Sequence, residues 1–273
     1  MRVASWGNGA VVLCLHGLGG GTHFFAALGA LLASSHRVVA VDLPGSGLSP
    51  RLPRFSFESC AEITVALARR SAGPVHLLGH SMGTIIAIEA IRRAPGLVSS
   101  LVAVGGVPEA LAASRARIRD RAAVARDRGL LGLGPDVVAA NFSARTRLER
   151  PELTGLVAAL FERQDPDAYA ETAEALAEWN APPLPRLDAV RCFVVTGEED
   201  RYAPPDAAGA FAQSLPGGTR LEVMRNCGHL PMLERPQEFT RVVEQFLAQA
   251  GDGLPPATGG CPVEPRRRRP PRS

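Results

Sequence analysis

Ser81 lies in Gly79-His80-Ser81-Met82-Gly83, between the strand-type run Val75-His76-Leu77-Leu78 and the helix-forming Thr84 to Ala90. A serine hydroxyl is a weak nucleophile until a base takes its proton. A strand that turns sharply into a helix leaves the apex side chain standing alone. It also aims the helix's free N–H groups and positive dipole end at that side chain. The spacing therefore predicts Ser81 at such an apex, with φ above zero, and Gly79 and Gly83 without side chains for steric reasons.

The base should be a histidine oriented by a carboxylate. Of the six histidines, His76 lies inside the strand before Ser81. His80 adjoins the serine, where the turn directs its side chain elsewhere. His16, His23 and His36 belong to the first part of the chain. His229, in Asn226-Cys227-Gly228-His229-Leu230-Pro231, follows the last predicted strand and can hang over Ser81 from the same sheet edge. The acid should follow the strand before that one, where Glu198, Glu199 and Asp200 stand in a row; the chain order serine, acid, histidine is met by any of the three. An oxyanion needs two donors. One is the backbone N–H of Met82; the other is that of Leu18, in the glycine-rich His16-Gly17-Leu18-Gly19. Gly17 to Gly21 does not fit a phosphate-binding loop, lacking both Gly-x-x-x-x-Gly-Lys and Gly-x-Gly-x-x-Gly.

These residues need a scaffold of alternating strands and helices. Strands are predicted at Arg2–Trp6, Ala10–Leu15, Val38–Val41, the run before Ser81, and Leu101–Val104. Helices are predicted over about Thr22–Ala33, from a Ser56 N-cap to Arg70, and from the Ser81 turn to just before Pro95. That rhythm is the pattern of a parallel α/β sheet. It breaks after Val107. From Pro108 to about Leu187 the pattern is helical only, with segments at Glu109–Arg128, Pro151–Arg163 and Ala168–Trp179. It resumes with strands at Cys192–Thr196 and Arg220–Met224, and helices at Asp206–Leu215 and Gln237–Ala248. The expected organisation is a core of residues 1–107 and 188–250, an all-helical cap of 108–187 over the strand C-termini, and a disordered Pro- and Arg-rich tail of 251–273.

At 273 residues with 46% hydrophobic content, the chain can bury a large core. Its net charge of +3 comes from the tail, where five arginines face Asp252 and Glu264; the rest holds 25 basic and 25 acidic residues. The body therefore gives no footprint for a nucleic-acid partner. All thirty basic residues are arginine, which we take as genome composition. Cys14, Cys60, Cys192, Cys227 and Cys261 are scattered without metal-ligand spacing and read as reduced thiols. With no leader pattern and no membrane-length apolar run, the expected location is the cytoplasm.

Taken together, His16-Gly17 with its glycines, Asp42-x-x-Gly45-x-Gly47-x-Ser49, Gly79-His80-Ser81-Met82-Gly83, Gly197-x-x-Asp200-x-x-x-Pro204, and Gly228-His229 with Glu234-x-Pro236-x-x-Phe239 resemble the α/β-hydrolase superfamily, in its small capped branch, over about residues 10 to 249. The resemblance implies a mostly parallel sheet flanked by helices, with a helical cap inserted between two late strands. It selects Asp200 as the acid and gives Asp42 a structural role in the turn after its strand. It departs in one respect: the usual leading hairpin is reduced to a few residues, so the sheet loses its first edge strand or the N-terminus is truncated.

The implied chemistry is two-step acyl transfer through Ser81, His229 and Asp200, with no metal or cofactor and with a small acyl substrate and water as partners. Serine argues against dehalogenase or epoxide hydrolase chemistry, which uses a carboxylate at that position in similar folds. A carboxylesterase for small or medium acyl groups ranks first, then an enol-lactonase, then a carbon–carbon bond hydrolase of ring-cleavage products. A ligand-binding or signalling protein with very slow turnover is the alternative from another class. The cap is rich in Ala and Leu, with Phe142, Phe161, Tyr169 and Trp179, which fits an apolar pocket. Arg115, Arg117, Arg119 and Arg121 spread around its first helix. Most must be solvated, and one is free to turn inward onto a substrate carboxylate.

Overall fold

In the computed structural model, which describes residues 1–249, the chain opens with β1 (Val3–Trp6) and β2 (Val11–Leu15). A 3₁₀ turn (Thr22–Phe25) leads into α1 (Ala26–Leu32), so the first helix predicted from the sequence is tighter in its opening turn. Then follow β3 (Arg37–Val41), α2 (Phe57–Ala68), β4 (Val75–His80), α3 (Met82–Arg93) and β5 (Val98–Val104). Five helices come next: α4 (Ala112–Arg128), α5 (Gly134–Asn141), α6 (Ala144–Glu149), α7 (Pro151–Glu162) and α8 (Pro166–Glu178). The sheet resumes with β6 (Arg191–Gly197), α9 (Pro205–Ser214) and β7 (Arg220–Met224), and the chain closes with α10 (Pro231–Glu234) and α11 (Pro236–Ala248).

The seven strands form one sheet in the order β1-β3-β2-β4-β5-β6-β7. All pairings are parallel except that of β1, which lies antiparallel on β3 with Val3 opposite Val41. The leading residues thus supply one edge strand in place of a hairpin. The chain proceeds outward from β2 through β3 on one side and from β4 through β7 on the other. Such a reversal opens a crevice at the strand C-termini. The turn after β2 holds Leu18 and the turn after β4 holds Ser81, so two of the expected site elements flank that crevice.

Both sheet faces are covered, and the strands are apolar on both sides, as a doubly covered parallel sheet requires. Leu13 and Leu15 of β2 pack toward α2 and α3, while Val12 and Cys14 pack toward α1 and α11. β6 alternates in the same way, with Cys192 and Val194 on one face and Phe193 and Val195 on the other. Cys14, Cys60, Cys192 and Cys227 are free thiols, all buried.

The insert between β5 and β6 is all helical. Local signals start several of its helices: Ser143 accepts from the Thr146 amide at 3.1 Å, Asp165 accepts from the Asp167 and Ala168 amides, and Pro151 and Pro166 occupy first-turn positions. The first helix begins at Ala112, three residues later than the sequence pattern predicts, after Leu111 in an extended conformation; Glu109, in the loop before it, accepts from the Ala181 amide at 2.9 Å. The predicted tail of 251–273, with Cys261 and the arginine cluster, lies outside the described residues. Among the described residues, no helix is long and apolar enough to cross a membrane.

Candidate active site

The turn after β4 has the predicted strain. Ser81 adopts φ 52° and ψ −120°, one of two non-glycine residues with positive φ among the described residues. Its amide donates to the Val104 carbonyl at 2.8 Å, which ties the apex to β5. A Cβ at Gly83 would collide with the Leu15 carbonyl, and one at Gly79 would stand 2.6 Å from the Gly83 carbonyl oxygen. The two glycines therefore let α3 fold back against β2 and β4. Both expected oxyanion donors are unspent: among the described residues, neither the Leu18 nor the Met82 amide has a hydrogen-bond acceptor.

Two buried histidines hold the Leu18 turn in place. His16 Nε2 accepts from the Leu43 amide at 2.9 Å, so its Nδ1 carries the proton and donates to the Gly17 carbonyl at 2.7 Å. His80 Nδ1 accepts from the Gly17 amide at 3.2 Å, so its Nε2 carries the proton and donates to the His229 carbonyl at 2.9 Å. Burial lowers His16 to about 4 and His80 to about 3, so both act as neutral tethers at ordinary pH. His80 thus joins the Leu18 turn to the His229 loop, a role that its position beside the serine did not reveal. Asp42 accepts from the Thr22 amide at 2.7 Å and the Leu48 amide at 2.9 Å, shaping the neighbouring turn as the resemblance implies.

Of the three consecutive acids, Asp200 reaches His229. Its Oδ2 accepts from His229 Nδ1 at 2.8 Å, while its Oδ1 accepts from the Tyr202 and Ala203 amides at 2.8 and 2.9 Å. Both side chains of the pair are almost completely buried. Burial alone would raise the Asp200 carboxyl. The His229 ring and the two amide donors outweigh it and hold the group below its ordinary value. Glu199 instead accepts from the Ala144 amide at 2.9 Å, and Glu198 from the Asn226 amide at 3.0 Å.

With Nδ1 bonded to Asp200, His229 keeps Nε2 as its basic nitrogen. Ser81 and His229 line the same cleft, which encloses about 830 Å³ with its mouth. Among the described residues the Ser81 hydroxyl has no hydrogen-bond partner, so the serine and histidine share the cleft without a direct bond. Bonds of this kind are often long before substrate binds. Gly105, at φ 53°, packs so closely that a Cβ there would stand 2.9 Å from His229 Nδ1; nothing in its sequence context marked it.

The insert roofs this cleft and is bonded to its parts. The His229 amide donates to the Asn141 carbonyl at 2.8 Å. The buried Glu234 carboxylate accepts from the Gly228 amide at 2.7 Å and from the Ser143 amide at 3.0 Å, joining the histidine loop to the insert. Ile118, Val137, Val157, Phe161 and Leu176 give the roof an apolar lining. Among the described residues, no group of three or more His, Cys, Asp or Glu side chains is arranged to hold a metal ion.

Comparison with known proteins agrees with this architecture. A pimeloyl-(acyl-carrier protein) methyl ester esterase of Chromobacterium violaceum is 30% identical over 256 residues, covering 90% of this chain and 97% of its own. An esterase from Thermogutta terrifontis superposes with a TM-score of 0.81 at 22% identity, covering 91% of this chain and 93% of its own. An enol-lactonase from Burkholderia xenovorans gives a TM-score of 0.81 at 21% identity, covering 90% of this chain and 96% of its own. Residues 12–242 match the model of the Alpha/beta hydrolase family. The chain belongs to that family and is an enzyme of the hydrolase fold.

Proposed function

We propose that the protein is a serine carboxylesterase for small or medium acyl groups, with Ser81 as nucleophile, His229 as general base and Asp200 as the group that orients it. The observation that carries this is the buried Asp200–His229 pair, which opens into the same cleft as a serine on a strained strand-to-helix turn. The Chromobacterium relative, an ester hydrolase by name, supports the ester class. The apolar cleft lining supports an acyl chain of modest size.

Ser81 Oγ attacks the ester carbonyl carbon while its proton passes to His229 Nε2. The Leu18 and Met82 amides hold the carbonyl oxygen as it becomes negative. His229 then protonates the departing alkoxide as the ester C–O bond breaks. Water repeats the sequence on the acyl-Ser81 ester: its proton goes to His229, and the carboxylic acid leaves as Ser81 regains a proton. Asp200, held ionised, stabilises the imidazolium that forms in both halves.

The test is turnover of short-chain nitrophenyl esters by the intact protein and by Ser81→Ala. The intact protein should turn over many times, and the variant should lose on the order of 10⁴- to 10⁶-fold in kcat. Undiminished turnover in Ser81→Ala overturns the assignment. A single stoichiometric burst from the intact protein favours a slow ligand-binding role.

A further inference from the structure

Among the described residues, three buried side-chain polar atoms lack a hydrogen-bond partner: Ser114 Oγ, Arg121 Nε and Thr240 Oγ1. Two of the three residues, Ser114 and Arg121, stand seven apart on α4, on the face that also presents Ile118, and all three of these line the Ser81 cleft. Orphaned polar atoms are uncommon in folded proteins, so two of them on one wall of one cavity call for a partner.

Arg121 is the costlier of the two. Its Nη2 makes one long bond, to the Tyr202 hydroxyl at 3.4 Å. Among the described residues, no carboxylate lies within ion-pairing distance of it. Arg121 is half-buried with its Nε out of solvent; a guanidinium stays charged at all ordinary pH values, and taking one out of water without an opposite charge is unfavourable. Its neighbours do not neutralise it: burial pushes the Tyr169 hydroxyl up to about 12, leaving it a neutral phenol. Three other arginines of this helix have fixed partners. Arg115 and Arg119 donate to the Ala177 carbonyl near the end of α8, and Arg126 makes a two-pronged contact with Glu174 at 2.8 and 2.7 Å. Arg121 thus has no carboxylate partner among the described residues, while Arg126 of the same helix has one.

We infer that Arg121, with Ser114 and the Tyr202 hydroxyl, forms a carboxylate-binding subsite, and that the substrate is an ester bearing a free carboxylate beyond an apolar spacer. This deepens the serine-esterase reading and rests on it. A single positive charge matches a monoanion, and the guanidinium fork fits a carboxylate. Ile85, Ile118, Val137, Val157 and Leu176 also line the cleft and suit the spacer. The Tyr202 ring packs 4.7 Å from the His229 ring, so the anionic end lies one side chain away from the reacting imidazole. Hemiesters of short dicarboxylic acids have this shape. Hydrolysis adds water across their ester bond, releasing the alcohol and the dicarboxylic acid.

The probes are the monomethyl esters of succinic, glutaric and adipic acids, each compared by pH-stat with the methyl ester of the monocarboxylic acid of equal length. The intact protein should prefer at least one hemiester by about tenfold or more in kcat/KM. Arg121→Met should lower that preference ratio by a similar factor, and Arg121→Lys should restore part of it. Free glutarate should compete with the neutral ester and lose its hold in Arg121→Met. A purely structural Arg121 would lower both substrates together and leave the ratio unchanged, which overturns the subsite. So does an intact protein with no hemiester preference, whether or not the variants fold. Loss of the esterase reading itself shows separately, as neutral-ester turnover that survives Ser81→Ala.

Discussion

The sheet-edge side of the cleft and its helical roof are built on opposite terms. At the sheet edge, polar side chains are matched within the protein: His16 and His80 spend both ring nitrogens on the backbone, and Asp200 accepts from His229, Tyr202 and Ala203. What is left over there is a hydroxyl at Ser81 and two amides, at Leu18 and Met82, the groups that the proposed acyl transfer uses. On the roof, Ser114 and Arg121 face the cleft with capacity to spare. The lesson is a division of labour. On the proposed reading, the edge is preorganised for one reaction and the roof is completed by the substrate that neutralises it.

Substitutions can break this contrast from the edge. The largest of these effects is expected at Asp200. Asp200→Asn keeps the shape but removes the charge and the tautomer control, so kcat should fall by roughly 10⁴-fold. A steady-state assay showing a loss below tenfold would mean that the Asp200–His229 bond is architectural. Next is Gly83→Ala. Its methyl meets the Leu15 backbone, which cannot yield without moving β2, so the protein should lose about 3 kcal/mol or more. Calorimetry should then record a fall in Tm of roughly 6–12 °C.

A smaller effect, on stability, follows from the tethers. His16 and His80 have folded-state pKa values of about 4 and about 3, depressed from an ordinary 6.5. Between those values the unfolded chain binds protons that the folded chain refuses. Stability is therefore complete above about pH 6.5 and falls as pH drops toward 4, by up to about 1.4 kcal/mol per pH unit for each histidine. Asp200, held low when folded, adds a loss in the same direction at still lower pH. Urea unfolding from about pH 7 to 5 should show a falling midpoint, and a level midpoint would remove the neutral tethers from the account.

The same contrast explains what was legible in the sequence. The positions proposed for Ser81, His229, Leu18 and Met82 follow from local patterns, because a strand, a tight turn and a helix start are encoded by adjacent residues. Asp200 stood among three acids, and only the family resemblance chose it; in the fold, Glu198 and Glu199 are engaged by the Asn226 and Ala144 amides. The roof was less legible. The short α5 and α6 were not predicted, although Ser143 caps α6 locally; other amides at their N-termini are held by carboxylates distant in sequence. Glu162 accepts from the Gly132 and Gly134 amides, Glu199 from that of Ala144, and Glu234 from that of Ser143. Four arginines on one helix looked alike until tertiary packing gave Arg115 and Arg119 a carbonyl and gave Arg121 none.

The central claim is that an activated Ser81 performs the chemistry, and fluorophosphonate labelling followed by peptide mapping tests it most directly. One adduct per chain should form, on the peptide containing Ser81, with ester turnover vanishing at the rate of labelling and with labelling much slower in Asp200→Asn. An adduct on another residue, or turnover that survives complete labelling of Ser81, would contradict the account.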